Sequence, residues 1–301
     1  FSRSLTARLT KSMRDGTVLK RVTPGYTHRY DDLSLRFNPA DGPSFSWSSD
    51  SRQVAFFARK ELDNYLVVLD VLSGRILHQI LLRDLHDPAS PVFHPQTGEI
   101  WFTALGHGQS RIYSLLPSNG TVQVRSDGER YIRSLAISPD GKRLAYSARP
   151  GRGSAYQKIY LAPSDHPDQP LPLTGGETQD LCPRFSRDGQ RIYLSSDRDG
   201  AFDIYRIDLG QRVCQRLSRV RTGSFFAEEI PGTEDLLVST YWKGRFQLFR
   251  MKPVPGPQEP LPELTEQLLG HDTGLQKTLQ GDQALAESPY RPFSRLYINS
   301  V

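Results

Sequence analysis

The chain has 301 residues, a formal net charge of +5 and 37% hydrophobic residues, a composition typical of a globular protein with enough apolar area for a core. No apolar run reaches the length of about 18 residues that a membrane-spanning helix needs, so none is predicted. The 30 arginines and 8 lysines are scattered, and no nucleic-acid-binding module accompanies them, which argues against a nucleic-acid partner.

The amino-terminal segment shows no regular β pattern. It begins with Phe1, and no charged-then-apolar export signal follows. We therefore expect a processed or excised piece of a longer product, with any signal peptide outside this sequence. Residues 1–16 are expected to be a lead-in segment with helical potential.

From there a turn motif recurs at spacings of 44 to 48 residues along the chain. Each turn is followed by an apolar alternating run, a polar loop and a second such run, which predicts antiparallel strands. The residues before the turns are Trp47, Phe93, Ile137, Phe185 and Ile230. The runs after the turns span 53–58, 99–104, 143–148, 191–196 and 235–240, and the next runs span 65–71, 111–116, 158–163, 203–209 and 246–252. A more polar run completes the first four units at 75–80, 121–126, 170–174 and 213–218.

Units of about 45 residues that each form a four-stranded sheet predict an all-β fold, a β-propeller, with five blades favoured. The last unit lacks a fourth strand, and its prolines argue that residues 253–262 are not a strand. Residues 18–23 (VLKRVT) match 213–218 (VCQRLS), so we expect them to complete the last blade and close the ring. Six blades, with one built from 25–45, are the alternative. The propeller is expected to span 17–262, and 263–301 to be a partly helical or irregular C-terminal extension.

One unit carries a recognisable repeat. The stretch FSRDGQRIYLSSDRDGAFDIYRIDL (185–209) resembles the repeat of the TolB-like β-propeller family, and SPDGKRLAYSA (138–148) resembles its first half. The founding member of that family is a periplasmic six-bladed propeller that binds other envelope proteins. The resemblance therefore implies a periplasmic or cell-envelope location in a bacterium, a protein partner and association with envelope or membrane proteins. Related propellers also form non-catalytic domains of serine peptidases.

The sequence contains no constellation that predicts catalysis. A serine hydrolase of this kin needs a G-x-S-x-G nucleophile elbow, and residues 151–155 (GRGSA) come nearest without matching it. The histidines show no metal-ligand spacing, and the carboxylates of 197–200 (DRDG) suit a turn better than a calcium loop. We therefore predict no catalytic residue, no metal and no cofactor. Cys182 and Cys214 fall on the inner and outer strands of one sheet, too far apart for a disulfide.

The loops that join the second and third strands of the blades share one rim and are rich in cations and aromatic residues. A ring of like charge at a concave mouth attracts acidic partners, and arginine and aromatic residues dominate binding hot spots. The predicted binding rim consists of Arg59, Lys60, His107, Arg149, Arg152, Tyr156, Arg198, Phe202, Tyr241, Trp242, Lys243 and Arg245.

These features favour a monomeric, non-catalytic scaffold that binds a protein or an acidic peptide. One alternative is the propeller domain of a peptidase, or a propeller with a hydrolase or lactonase site in its channel. A second is a carbohydrate or cell-wall binding module, for which the tryptophans Trp47, Trp101 and Trp242 are the candidates.

Overall fold

The computed structural model describes residues 10–12, 18–21, 42–60, 63–128, 130–151 and 153–261, and these residues contain strands and turns but no helix. No helix that could cross a membrane is therefore found in the part of the chain that is described. The chain divides into two compact units, residues 1–263 and 264–301, and every described residue belongs to the first. The expected extension after residue 263 lies outside the described residues, as does most of the lead-in segment and of the alternative blade at 25–45.

Antiparallel meanders form the blades, and the two faces of each inner sheet are covered by the neighbouring blades. The predicted period is confirmed, and five blades are arranged as a β-propeller. Blade 1 contains β3 (Phe45–Trp47), β4 (Gln53–Lys60), β5 (Asp63–Asp70) and β6 (Ile76–Leu81). Blade 2 contains β7 (Leu85–Phe93), β8 (Ile100–Gly106), β9 (Gln109–Leu116) and β10 (Thr121–Val124). Blade 3 contains β11 (Tyr131–Ile137), β12 (Arg143–Arg149), β13 (Lys158–Pro163) and β14 (Leu171–Pro172).

The last two blades depart from the four-stranded plan. Blade 4 contains β15 (Asp180–Phe185), β16 (Arg191–Ser196), β17 (Asp203–Asp208), β18 (Val213–Arg216) and, at its outer edge, β22 (Gln258–Pro260). Blade 5 contains β19 (Ser224–Glu229), β20 (Leu236–Trp242) and β21 (Arg245–Met251). The remaining strands, β1 (Thr10–Ser12) and β2 (Val18–Arg21), form a separate two-stranded ribbon.

The predicted closure of the ring by residues 18–23 is wrong. Strand β2 pairs with β1 in register Lys20 to Lys11, and β21 pairs only with β20 among the described strands. Residues 10–12 of the lead-in segment are accordingly strand. The prediction that 253–262 contains no strand is also wrong, because β22 pairs with β18, where Pro260 sits opposite Val213 at the sheet edge. Proline is tolerated there, since an edge strand need not donate from every residue.

The turn motif is stabilised by its own side chains. Ser186 Oγ donates to Asp188 Oδ1, which also accepts from the Gln190 amide at 2.9 Å. The Arg191 amide donates back to Ser186 Oγ at 2.9 Å. Gly189 follows with a φ of +69°, a conformation that favours glycine. The serine and aspartate pairs Ser138 with Asp140 and Ser48 with Asp50 repeat the arrangement in blades 3 and 1.

The core lies between successive blades, so each sheet depends on its neighbour. Ile112 of blade 2 is fully buried with Leu135 of blade 3, and Ile204 of blade 4 is fully buried in a cluster with Val238 of blade 5. Hydrogen bonds between the turns of neighbouring blades also stabilise these boundaries. His94, which takes the place of the turn serine in blade 2, donates from Nε2 to the Gly141 carbonyl of blade 3 at 3.1 Å.

Both cysteines lie where the repeat predicted. Cys182 is on the inner strand β15 and Cys214 on β18, both are buried, and no disulfide joins them. Burial raises the pKa of the Cys214 thiol to about 11, which keeps it in the unreactive thiol form near neutral pH. The interpretation of both as buried apolar residues is thus confirmed.

Candidate functional site

The hairpins that join the second and third strands lie at the end of the blades where the inner strands begin. In blade 3, Tyr131 at the start of β11 is opposite Arg149 at the end of β12. In blade 5, Ser224 at the start of β19 is likewise opposite Thr240 of β20. We call this end of the propeller the hairpin rim. Of the predicted rim residues, Arg152 lies outside the described residues, as does the side chain of Lys60.

The hairpin of blade 5 is exposed along residues 241–245. Its turn consists of Lys243 and Gly244, with φ angles of +48° and +79°, between the paired residues Trp242 and Arg245. Two positive φ values in a two-residue loop are typical of a type I′ turn, which matches the twist of the strands that it joins. Trp242 is 47% exposed, and Tyr241, Lys243 and Arg245 are exposed as well. We call residues 241–245 the blade 5 tip.

An aromatic chain supports this tip and ties it to blade 4. The ring of Phe202, in the β16–β17 loop, lies 5.0 Å from that of Phe225. Phe225 is buried and meets Phe246 at 5.9 Å, and Phe246 meets Tyr241 at 5.1 Å with an interplanar angle of 64°. Such edge-to-face pairs hold aromatic rings in defined orientations. The tip therefore presents aromatic and cationic groups from a fixed base.

The corresponding hairpin of blade 2 has the same turn geometry. His107 and Gly108 both have positive φ, between the paired residues Gly106 and Gln109. His107 is exposed, and no aromatic residue accompanies it within 106–109. This hairpin therefore offers a polar contact without the apolar area of the blade 5 tip.

At blade 3 two guanidinium groups share one aromatic ring. Arg149 lies 5.3 Å and Arg133 lies 5.1 Å from the centroid of Tyr131, and Arg133 Nη1 donates to the Tyr131 hydroxyl at 2.9 Å. The cleft between this group and blade 2, whose wall includes Asp87, has a volume of about 10 Å³. A volume of that size holds about one water molecule, so this cleft is not a small-molecule pocket.

Arg198 was expected at the rim, but its side chain points into the sheet. Its guanidinium donates to Asp180 Oδ1 at 3.3 Å and to Ser196 Oγ at 3.1 Å, and lies 4.6 Å from the centroid of Tyr205. Asp180 is fully buried and needs this positive charge. In this geometry Arg198 is a structural residue of blade 4.

The neighbouring carboxylates of the 197–200 loop are engaged in the same way. Asp197 Oδ1 accepts from the Gln179 amide at 2.8 Å, and Asp199 Oδ2 accepts from the Tyr205 hydroxyl and from Arg216. No group of three or more histidine, cysteine or acidic residues able to hold a metal occurs among the described residues. The loop is thus built from protein hydrogen bonds.

The other predicted rim residues are dispersed. Arg59 is exposed at the end of β4, and Tyr156 is half-buried in the β12–β13 loop. Of the three tryptophans, Trp47 and Trp242 are about half exposed on blades 1 and 5, and Trp101 is buried. Among the described residues, the rim therefore brings together one group of neighbouring aromatic and cationic residues that sequence reasoning named, which is Phe202 with the blade 5 tip.

Sequence reasoning missed the exposed apolar residues next to the tip. Leu248 is 70% exposed on β21, and Leu237 is 39% exposed on β20. Both follow the alternation that buries the same positions in other blades, so the sequence pattern carries no sign of their exposure. The missing fourth strand of this unit was the available signal.

Comparison with known proteins identifies the fold. No family model matches the chain. It is similar to a TolB structure from Agrobacterium tumefaciens, at 20% identity and a TM-score of 0.55, with 72% of this chain and 81% of that one covered. It is also similar to TolB from Acinetobacter baumannii, at 20% identity and a TM-score of 0.52, with coverage of 73% and 55%. The chain therefore has the TolB-like β-propeller fold.

Two curated relatives are peptidases by name. A tricorn protease homologue of Streptomyces coelicolor is 38% identical over 82 residues, which are 26% of this chain and 7% of that protein. Dipeptidyl-peptidase 5 of Porphyromonas gingivalis is 27% identical over 176 residues, 52% of this chain and 24% of that protein. The chain thus spans less than a quarter of the length of each of these two relatives.

Proposed function

We propose that this β-propeller is a non-catalytic scaffold of the bacterial cell envelope that binds an acidic segment of a partner protein at the blade 5 tip. The observation that carries the proposal is the exposed group of Trp242, Lys243 and Arg245 on a base of packed aromatic rings. Aromatic and arginine side chains in one cluster are what binding hot spots favour. Lysine and arginine beside them favour an acidic partner through electrostatic complementarity.

A binding measurement with a defined probe tests this proposal. A fluorescein-labelled, glutamate-rich peptide that also contains apolar residues is titrated with the chain and followed by anisotropy. The double charge reversal Lys243→Glu and Arg245→Glu is expected to weaken binding by about tenfold or more, since it replaces attraction with repulsion. The matched control reverses Lys142 and Arg212, exposed cations at the opposite end of the blades, and should bind as the wild type does. Equal binding by both double variants would refute the tip as the site.

The proposed envelope location draws its support from the repeat that resembles the TolB-like family. A reporter enzyme that is active only outside the cytoplasm, fused to the full-length gene product, tests it directly. An inactive reporter on a stable fusion would place the propeller in the cytoplasm and remove this part of the proposal.

A second candidate function is that of a propeller domain in a larger peptidase, favoured by the similarity to the two peptidases named above. The full-length gene product distinguishes the two. Labelling of that product by a serine-hydrolase activity probe, together with cleavage of peptide substrates, would support the peptidase. Binding of the acidic probe without either result would support the scaffold.

A further inference from the structure

One apolar position is buried in four blades and exposed in the fifth. The pair Ile192 and Ile207 in blade 4 corresponds to the pair Leu236 and Met251 in blade 5. In this alignment Ile204 of blade 4 is equivalent to Leu248 of blade 5. Ile204 is fully buried against blade 5, whereas Leu248 is 70% exposed. The equivalent residues Leu66, Ile112 and Ile159 are fully buried against the next blade in blades 1, 2 and 3.

The second strand shows the same contrast. Tyr193 of blade 4 is 5% exposed, and its equivalent in blade 5, Leu237, is 39% exposed. Leu237 and Leu248 lie on the same face of the sheet. Leu248 is paired with Ser239, and Ser239 is two residues from Leu237 along β20, so all three side chains point to one side. This face of blade 5 thus retains the residue types that pack against a neighbour, while it is open to solvent.

The same blade also has an open edge. Strands β6, β10, β14 and β18 pair with the third strand of blades 1 to 4, but β21 has no partner on its outer side among the described strands. An edge strand with unpaired backbone groups is a template for another strand. Peptides recognised in this way gain affinity from main-chain hydrogen bonds and specificity from alternate side chains.

The charges along this edge favour an acidic strand as the bound segment. Lys243 and Arg245 stand at one end of β21, and Arg250 and Lys252 at the other, all exposed. Arg250 has one acidic neighbour, Asp235, which its Nε meets at 2.5 Å. The remaining cations complement an acidic strand and disfavour a basic one.

We propose that β21 accepts an extended acidic segment of a partner protein as the fourth strand of blade 5, with apolar side chains of that segment beside Leu248. The proposal rests on the proposed function and extends it, because it specifies how the partner continues from the blade 5 tip along the sheet edge. The fourth strands of blades 1 to 4 have between two and six residues, so a short segment is sufficient.

The decisive experiment compares two peptides that differ only in their backbone. Both alternate valine and glutamate over the seven residues needed to cover β21, and one carries N-methyl groups on its backbone amides along both edges. Strand addition requires those amides, whereas attraction to the tip does not. We expect the N-methylated peptide to bind about tenfold more weakly, the order of magnitude for the loss of a few hydrogen bonds. A peptide with lysine in place of glutamate is expected not to bind.

A protein variant and an exchange measurement complete the test. Leu248→Ser is expected to weaken binding of the unmethylated peptide by about tenfold. The reason is that the variant has no aliphatic side chain at this position to be buried from water when the peptide binds. Leu77→Ser, at an exposed leucine of blade 1, is the matched control and should have no effect. Bound peptide should also slow hydrogen exchange of β21 amides in the wild type, which requires no variant to fold.

The outcomes separate this inference from the proposed function. Equal binding of both peptides without protection of β21, but sensitive to Lys243→Glu and Arg245→Glu, would overturn strand addition and leave the tip as the binding site. If neither acidic peptide binds the wild-type chain, both proposals fail. Backbone-dependent binding that is lost in Leu248→Ser would establish strand addition.

Discussion

Lys158 Nζ lies 3.0 Å from Asp180 Oδ2, and this ion pair crosses the boundary between blades 3 and 4 with both side chains buried. Lys158 also donates to the Gly175 carbonyl and to Thr178 Oγ1, and Arg198 supplies a second cation to Asp180. Burial lowers the pKa of Lys158, and the Asp180 carboxylate opposes that effect. The boundary therefore contains a buried Asp180 carboxylate, whose burial is compensated by the two cations next to it.

The first prediction follows from this dependence. Asp180→Asn is expected to destabilise the chain by about 3–5 kcal/mol, because it leaves the buried Lys158 without its carboxylate partner. Urea unfolding at neutral pH measures the loss. The control is Asp235→Asn, which breaks the more exposed pair with Arg250 and should cost no more than about 1 kcal/mol. A similar loss in both variants would contradict the special role of the buried pair.

The second prediction concerns the stability of the folded chain at low pH. The hydrogen bond from Ser186 lowers the pKa of Asp188 below its ordinary value of 3.8, so folding favours the ionised carboxylate. Its contribution to stability is then fully present above pH 3.8 and is lost as the pH falls through the lower folded-state pKa. Asp188→Asn should accordingly lose less stability than the wild type between pH 5 and the acid limit of folding. Urea midpoints over that range measure the difference, and parallel curves for the two proteins would contradict the assignment.

The strands could be predicted from the sequence because a two-residue alternation and a regular turn motif are local signals. The partner of the final strand could not be predicted in the same way. Residues 18–23 have the residue types of an outer strand, but residue types do not specify which edge a strand joins. The inward orientation of the Arg198 side chain could not be predicted for a related reason. It is set by the buried carboxylate of Asp180, which lies on the inner strand of the blade. The tip residues 241–245 were predictable, because a short polar hairpin is exposed wherever its blade lies.

The third prediction isolates the contact between blades 2 and 3. A Cβ at Gly141 would lie 2.7 Å from His94 Cε1, whereas a Cβ at Gly98 would meet nothing within 4 Å. Both glycines have φ near +70°, so alanine carries a similar backbone strain at either site. Gly141→Ala is therefore expected to lose about 1–3 kcal/mol more than Gly98→Ala, the order of magnitude for overpacking. Equal losses in thermal or urea unfolding would show that the His94 contact is easily displaced.

The fourth prediction concerns Cys214. Its folded pKa of about 11 exceeds the ordinary value of 9.0, so the folded state keeps the proton after the unfolded state has lost it. The resulting stability is fully present below pH 9 and is lost as the pH rises to about 11. Cys214→Ala should show a shallower loss of stability over that interval than the wild type does. At pH 8, iodoacetamide should label neither cysteine in the folded chain and both in urea, and rapid labelling of the folded chain would contradict the burial.

The last prediction concerns the rate at which the blade 5 tip captures an acidic segment. Lys243 and Arg245 are exposed, so salt screens their field over a Debye length of about 10 Å at 0.1 M. The association rate of a glutamate-rich peptide should therefore fall steeply with added salt, whereas the dissociation rate, set by contacts with Trp242 and Tyr241, should change little. Stopped-flow anisotropy measures both rates. Trp242→Ala should raise the dissociation rate and leave the salt dependence of association intact. An association rate that is independent of salt in the wild type would show that charge does not guide the encounter.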